Sequence, residues 1–322
     1  MSSTPLAPGL NPAPAADLYK HWTPETLRFS DLDRMRHVNN VSTISLYEDG
    51  WLRFVDDGEM AVANNIAWRV DYMGIDFRKQ LHYRDDLLVG TRLAGVNNGC
   101  LRVSHILLRD GAPVGVAERL VTAIDRRTGR PADVPAHILS EALSAAEPDM
   151  RAPFMASNKT DWAREFEPKD TYRVWRDDIF RFADMDADER IGRLTQLKLV
   201  ESGRVGLIQD IGPPTADLNI IWMAAHVSLN FLTWPDLRSS ARTGLRIEGF
   251  GNSSCHIRHT IFSEGRMIAT GGAVVALANR KTLKSVQIPA PLRALLENAP
   301  DSNVPPSERY DPAKMFRDQT QG

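Results

Sequence analysis

Cysteine is nearly absent: Cys100 and Cys255 are the only two in 322 residues. A disulfide framework is therefore excluded, and neither thiol has the neighbours of a CxxC motif or a zinc site, so both read as plain strand or core residues. The eight histidines form no HxxxH or HExxH spacing, and no metal is expected. Charge of one sign is lacking too. Thirty-nine basic side chains against 41 acidic ones leave a net −2, which argues against a nucleic-acid or membrane-surface partner. No apolar run is long enough to span a bilayer. The opening MSSTPLAPGLNPAPAAD has neither the basic start nor the apolar core of a signal peptide and reads as a disordered lead, with the cytoplasm as default address. The remaining balance, 43% apolar and 25% charged, is that of a soluble globular chain long enough for two ordinary domains.

What is present is an internal repeat. Setting residue n against n+153 pairs Asp17 with Asp170, Tyr19 with Tyr172 and Trp22 with Trp175. The same register pairs Phe29 with Phe182, Asp31 with Asp184, Asp33 with Asp186, Glu48 with Glu201 and Gly50 with Gly203. At an offset of 154 it continues through Trp68/Trp222, Phe77/Phe231, His105/His259, Gly111/Gly265 and Pro135/Pro289. Two tryptophans, a DxD pair and a helical Glu-x-Gly in one register mark a duplication.

Each copy reads alike. A short apolar strand around Leu27–Phe29 (Ile179–Phe182 in the second copy) leads into the DxD turn. A helix is predicted from Val41 to Val55, where Ile44, Leu46, Tyr47, Trp51, Phe54 and Val55 recur at helical spacing, with Asn39 or Asn40 as N-cap. Its counterpart runs from about Leu194 to Ile208. Strand signals follow at Ile66–Phe77, Leu87–Val96, Cys100–Leu108 and Pro113–Ile124, with Asp110-Gly111 marking a hairpin. The second copy repeats them at Ile220–Phe231, Arg242–Gly249, Ser254–Phe262 and Met267–Ala278. Strand, helix, then four strands is an α+β order in which an antiparallel sheet wraps one helix. Glycine costs a helix about 1 kcal/mol against alanine. Its recurrence at Gly50 and Gly203 points to close packing, of helix on sheet or helix on the other repeat. The chain divides into a lead (1–16), a first domain (17–138), a linker with a short helix at its start (139–169), a second domain (170–298) and a polar tail (299–322).

The string Phe29-Ser-Asp-Leu-Asp-Arg-Met-Arg-His-Val-Asn-Asn40, followed by Tyr47-Glu48, resembles the signature of the hot-dog thioesterases, close to the 4-hydroxybenzoyl-CoA thioesterase type. It is similar also to that of plant acyl-ACP thioesterases, in which two hot-dog domains share one chain. Asp125-Arg-Arg-Thr-Gly-Arg-Pro131 resembles the last-strand ending of the family. Met35 stands where the plant enzymes carry Asn, which favours the CoA type. The resemblance spans roughly residues 17–137 and 170–292 and implies two tandem hot-dog domains forming an intrachain pseudo-dimer.

It also implies a site. Thioester hydrolysis needs a nucleophile or water-activating base, and donors for the developing oxyanion. A lone DxD reads as a turn or cap, but with HVNN in register Asp33 takes the place of the family's catalytic carboxylate, to attack the carbonyl or deprotonate water. His37 would orient or share the proton or meet the thioester oxygen; the alternative is a histidine bonding a backbone carbonyl. Asn39 and Asn40 stand where the helix begins, whose N-terminal amides and positive dipole end suit an oxyanion. Glu48, on the helix, is either part of the site or half of a structural ion pair.

The second copy reads DADERIGRLTQ where the first has DRMRHVNNVST. Arg190 replaces the histidine and Gly192-Arg193 the asparagines. Arginine is no base at neutral pH, so this second site is expected to be degenerate. It would complete a wall of the first site or bind CoA phosphates through Arg190, Arg193 or Arg204. The leading expectation is hydrolysis of an acyl-CoA, with coenzyme A entering only as part of the substrate and no cofactor. An acyl carrier protein thioester is the second choice of substrate, and two chains would assemble as a homo-oligomer. The rivals are an acyl-thioester hydratase or dehydratase and a non-catalytic acyl-CoA binder.

Overall fold

The computed structural model describes residues 13–33, 36–58, 60, 65–97, 99–145, 172, 174–186, 190–211 and 219–297. Most of the expected lead, linker and tail lie outside them, as do Arg34 and Met35.

A short strand before each helix and the alternating segments after it, which become long strands, build the sheet. In the first repeat these are β1 (His21–Glu25), β2 (Ile66–Phe77), β3 (Leu87–Asn97), β4 (Cys100–Arg109) and β5 (Ala112–Asp125). In the second they are β6 (Val174–Ile179), β7 (Ile220–Phe231), β8 (Ser240–Phe250), β9 (Ser254–Ser263) and β10 (Arg266–Asn279). All ten form one antiparallel sheet in the order β1-β3-β4-β5-β2-β7-β10-β9-β8-β6. The two halves meet at β2 and β7, where Tyr72 pairs with Asn230 and Asp76 with His226. At the predicted hairpin Asp110 and Gly111 both take positive φ, 51° and 75°, as a type I′ turn requires.

Two long helices lie across the sheet: α1 (Asn40–Asp56) and α3 (Arg193–Ile211). They pack on β3 and β8 of their own repeats and on each other. Ile44, Tyr47, Trp51 and Phe54 recur every three or four residues along one face of α1 and are buried. Each such side chain contributes about 1.5–3 kcal/mol by leaving water. Their core runs on without a break into Leu197, Val200, Val227 and Leu229 of the second repeat. The glycines are explained here: a Cβ on Gly50 would stand 2.6 Å from Val89 Cγ1, and one on Gly203 2.8 Å from Leu245 Cδ1. Helix-on-sheet contact is what requires them.

Three expectations need correction. The first strand of each copy lies earlier than Leu27–Phe29 and Ile179–Phe182, because the phenylalanines there point outward. Phe29 and Phe182 are each 77% exposed, in one-turn 3₁₀ segments. The short helix placed in the linker, α2 (Ala136–Ser144), instead packs on β3 and β4 and buries Ile138 and Ala142 in the first core. Its counterpart α4 (Ala290–Glu297), unexpected from the sequence, buries Leu292 and Leu296 in the second core.

Candidate active site

The Asp33–His37 loop folds on itself just ahead of α1. Asp33 N–H donates to His37 O at 2.7 Å, and Asp33 Oδ1 accepts from His37 N–H at 3.0 Å. Arg36 supplies the reversal with φ 64°. The second copy closes identically: Asp186 N–H to Arg190 O at 2.8 Å, and Arg190 N–H to Asp186 Oδ1 at 3.2 Å. One carboxylate oxygen in each loop therefore has a structural task. Asp33 is exposed and His37 half-buried, its ring 5.7 Å from that of His82 in an edge contact.

The loop delivers the chain directly into the helix. Asn39 is the N-cap: its backbone is extended (φ −61°, ψ 147°) and its Oδ1 accepts from Val41 N–H at 2.7 Å. Thr43 N–H donates to Asn39 O at 2.9 Å. Of the first four helical amides, those of Asn40 and Ser42 thus have no acceptor among the described residues. Asp33, His37, Asn39 and Asn40, chosen from the sequence, come together around this helix end.

Glu48 does not join them. It reaches across to the second repeat, accepting from Arg193 Nη2 at 2.8 Å while Arg119 Nη1 of β5 donates to it at 2.6 Å. Burial alone would push this carboxyl up, but the two guanidiniums outweigh it and bring it down to about 2. A carboxylate held that firmly ionised is a poor proton acceptor, so the ion-pair alternative holds. The network continues inward: Arg119 Nε donates to His105 Nε2 at 3.1 Å, and His105 Nδ1 meets Thr91 Oγ1 at 3.0 Å. Since Nε2 accepts, His105 is neutral, and burial first, with Arg119 beside it, holds its pKa well below the usual range. The sequence held a signal for Arg119: it occupies the inward phase of β5 between Ala117 and Val121, where a charge needs a partner.

The counterpart Glu201 has Arg204 of its own helix 4.0 Å away and lies within electrostatic range of Asn39 and Asp33 of the first motif. Burial raises its pKa, Arg204 and Asn39 counter that, and Asp33 adds to the rise. The two equivalent glutamates are thus pushed in opposite directions.

The three arginines considered for CoA phosphates separate. Arg204 is buried beside Glu201, which leaves it no face for a phosphate. Arg193 is held by Glu48. Arg190 lies over the ring of Trp234, 5.6 Å from its centroid. With Met185, Ile191 and Trp234, and with Arg69 and Ile124 of the first repeat, it lines a cavity of about 490 Å³.

Residues 27–143 match the model of the thioesterase-like superfamily. The chain is similar to the solved structure of a protein described as an oleoyl thioesterase of Lactobacillus plantarum, at 13% identity and TM-score 0.62, over 80% of this chain and 94% of that one. It is similar also to the 12:0-ACP thioesterase of Umbellularia californica, at 12% identity and TM-score 0.60, over 81% and 94%. An acyl-ACP thioesterase of Bacteroides thetaiotaomicron follows at 10% identity and TM-score 0.58, over 80% and 98%. At these identities the likeness shows the fold, which is hot-dog and runs through both repeats. No curated protein matches the chain.

Proposed function

We propose that the chain, whose residues 27–143 match the thioesterase-like superfamily, hydrolyses an acyl-CoA thioester at the site of Asp33 and His37. The observation that carries this is the meeting of an exposed carboxylate with a helix end whose Asn40 and Ser42 amides are open. Water adds across the C(=O)–S bond, its oxygen going to the acyl carbon and a proton to the departing thiolate. Asp33 attacks the carbonyl or takes the proton from water; either route throws negative charge on the carbonyl oxygen. The open amides and the positive end of α1 stabilise that charge. His37, four residues on and half-buried, carries the proton toward the sulfur in this reading.

The second motif keeps its loop but presents Arg190 for the histidine and an ion-paired Arg193 at the helix start. In this reading it serves binding rather than chemistry, and Arg190, which lines the cavity, is the arginine of the three that meets an anion of CoA.

The test is thiol release from a panel of short, long, branched and aromatic acyl-CoAs, with a carrier-protein thioester alongside. Release from acyl-CoAs supports the proposal. Release only from the carrier-protein thioester replaces CoA as carrier. A product heavier by one water with its thioester intact means hydration, and saturable binding without release means a binder; both overturn it.

A further inference from the structure

We propose that His82, in the segment that follows β2, is a positioning residue of the first-repeat site and acts by holding the imidazole of His37. This rests on the hydrolase reading above and adds to it a histidine far from the motif in sequence. The contact is direct. The two rings meet edge to face, their planes 80° apart and their centroids 5.7 Å apart, an arrangement that aromatic pairs favour. The backbones meet as well: His37 and His82 form an antiparallel bridge, and Val38 N–H donates to Leu81 O at 3.1 Å.

His82 is exposed, yet its backbone is anchored. Its N–H donates to Asp85 Oδ2 at 2.8 Å, and its carbonyl accepts from Asp85 N–H at 3.1 Å. Arg109 of β4 fixes that turn from the sheet, its Nη1 donating to Asp85 Oδ2 at 3.3 Å and to Gln80 O at 2.8 Å. Asp33 holds only the backbone of His37, through His37 N–H. Among the described residues none hydrogen-bonds the His37 ring, so the ring of His82 is what limits its swing. A side chain that must meet a reacting atom needs such support, since small misplacements cost rate steeply.

The second copy repeats the arrangement with other chemistry. Its turn closes in the same way, Ser239 N–H donating to Asp236 O at 3.2 Å, and Arg238 takes φ 65° where Arg84 takes 74°. Residue 190 is again held by a ring of the segment after the long strand, Arg190 lying over Trp234 at 5.6 Å. Asp236 stands in the place of His82 and Arg190 in that of His37, so the copy that lacks one imidazole lacks the other. The two histidines belong to the same site.

The experiment is a cycle of His82→Ala, His37→Ala and the double variant, with His82→Phe as the replacement that keeps a ring. Each change at residue 82 alters an exposed side chain and leaves its backbone bonds in place, so thermal unfolding should stay near wild type. His82→Ala is expected to lower kcat by on the order of tenfold to a hundredfold with a smaller change in KM. The double variant should be no slower than His37→Ala alone. His82→Phe should restore most of kcat, because it keeps the ring that His37 meets. An unchanged kcat in His82→Ala, independent losses in the cycle, or a His82→Phe as slow as His82→Ala overturns the proposal. Wild-type thiol release is measured first, so that its absence overturns the hydrolase reading separately. The contact is then read in the wild-type chain as a nuclear Overhauser effect between the ring protons of His37 and His82. Its presence supports the positioning role, and its absence rejects that role whatever the reaction.

Discussion

Glu48 of the first helix and Arg193 of the second are joined by a 2.8 Å hydrogen bond, so the charge of the first helix is used up at the start of the other copy's helix. The bond ties the repeats together at the place where the second motif has lost its histidine and asparagines.

Breaking that tie should destabilise the whole chain. Glu48→Gln leaves Arg119, which is fully buried, and Arg193 without their carboxylate. Loss of one partner of a buried pair costs about 3–5 kcal/mol, so thermal unfolding should fall markedly at pH 7. Because the carboxyl sits at about 2 folded against 4.5 unfolded, its contribution is complete above about pH 4.5 and is lost as pH falls toward 2. The gap between wild type and Glu48→Gln should therefore narrow across that window; a gap that stays constant from pH 7 to 3 contradicts the assignment.

Gly50→Ala should destabilise although alanine favours helices. Its Cβ would meet Val89 Cγ1 at 2.6 Å, and overpacking costs about 1–3 kcal/mol against the roughly 1 kcal/mol gained in propensity. Val89→Ala in the same chain should recover the loss, as a double-mutant cycle of chemical denaturation would register. Additive losses would show that the close contact is not the cause.

Arg190→Ala should raise KM for acyl-CoA while leaving kcat near wild type, and should change neither for a truncated pantetheine thioester that lacks the nucleotide phosphates. Equal effects on both substrates would remove Arg190 from CoA recognition and return the cavity to a packing role.

Much of this was legible because apolar periodicity and duplication reinforce each other. Ile66–Phe77 and Ile220–Phe231 are strands to the residue, and α1 exceeds its predicted span by one residue at each end. The edge strands were misplaced for a physical reason. His21–Glu25 holds Pro24 and only one aromatic, while the more apolar Leu27–Phe29 lies beside it and turns its phenylalanine to solvent. Of the site, Asp33, His37, Asn39 and Asn40 lie close together in sequence and so could be read from it. The partners of Glu48 could not. The duplication makes the two glutamates equivalent, and only the side-by-side packing of α1 and α3 sends Glu48 across to Arg193 of the other motif. Arg119 reaches Glu48, and His105 reaches Arg119, from strands far along the chain.

The central claim is that one repeat carries the chemistry and the other does not. Asp33→Asn and Asp186→Asn test it most directly, since asparagine keeps the oxygen that each loop uses to accept from residue 37 or 190. Thiol release from the best acyl-CoA should fall by on the order of 10²–10⁴-fold in Asp33→Asn and stay near wild type in Asp186→Asn. Equal losses in the two variants, or a loss confined to Asp186→Asn, would contradict the account.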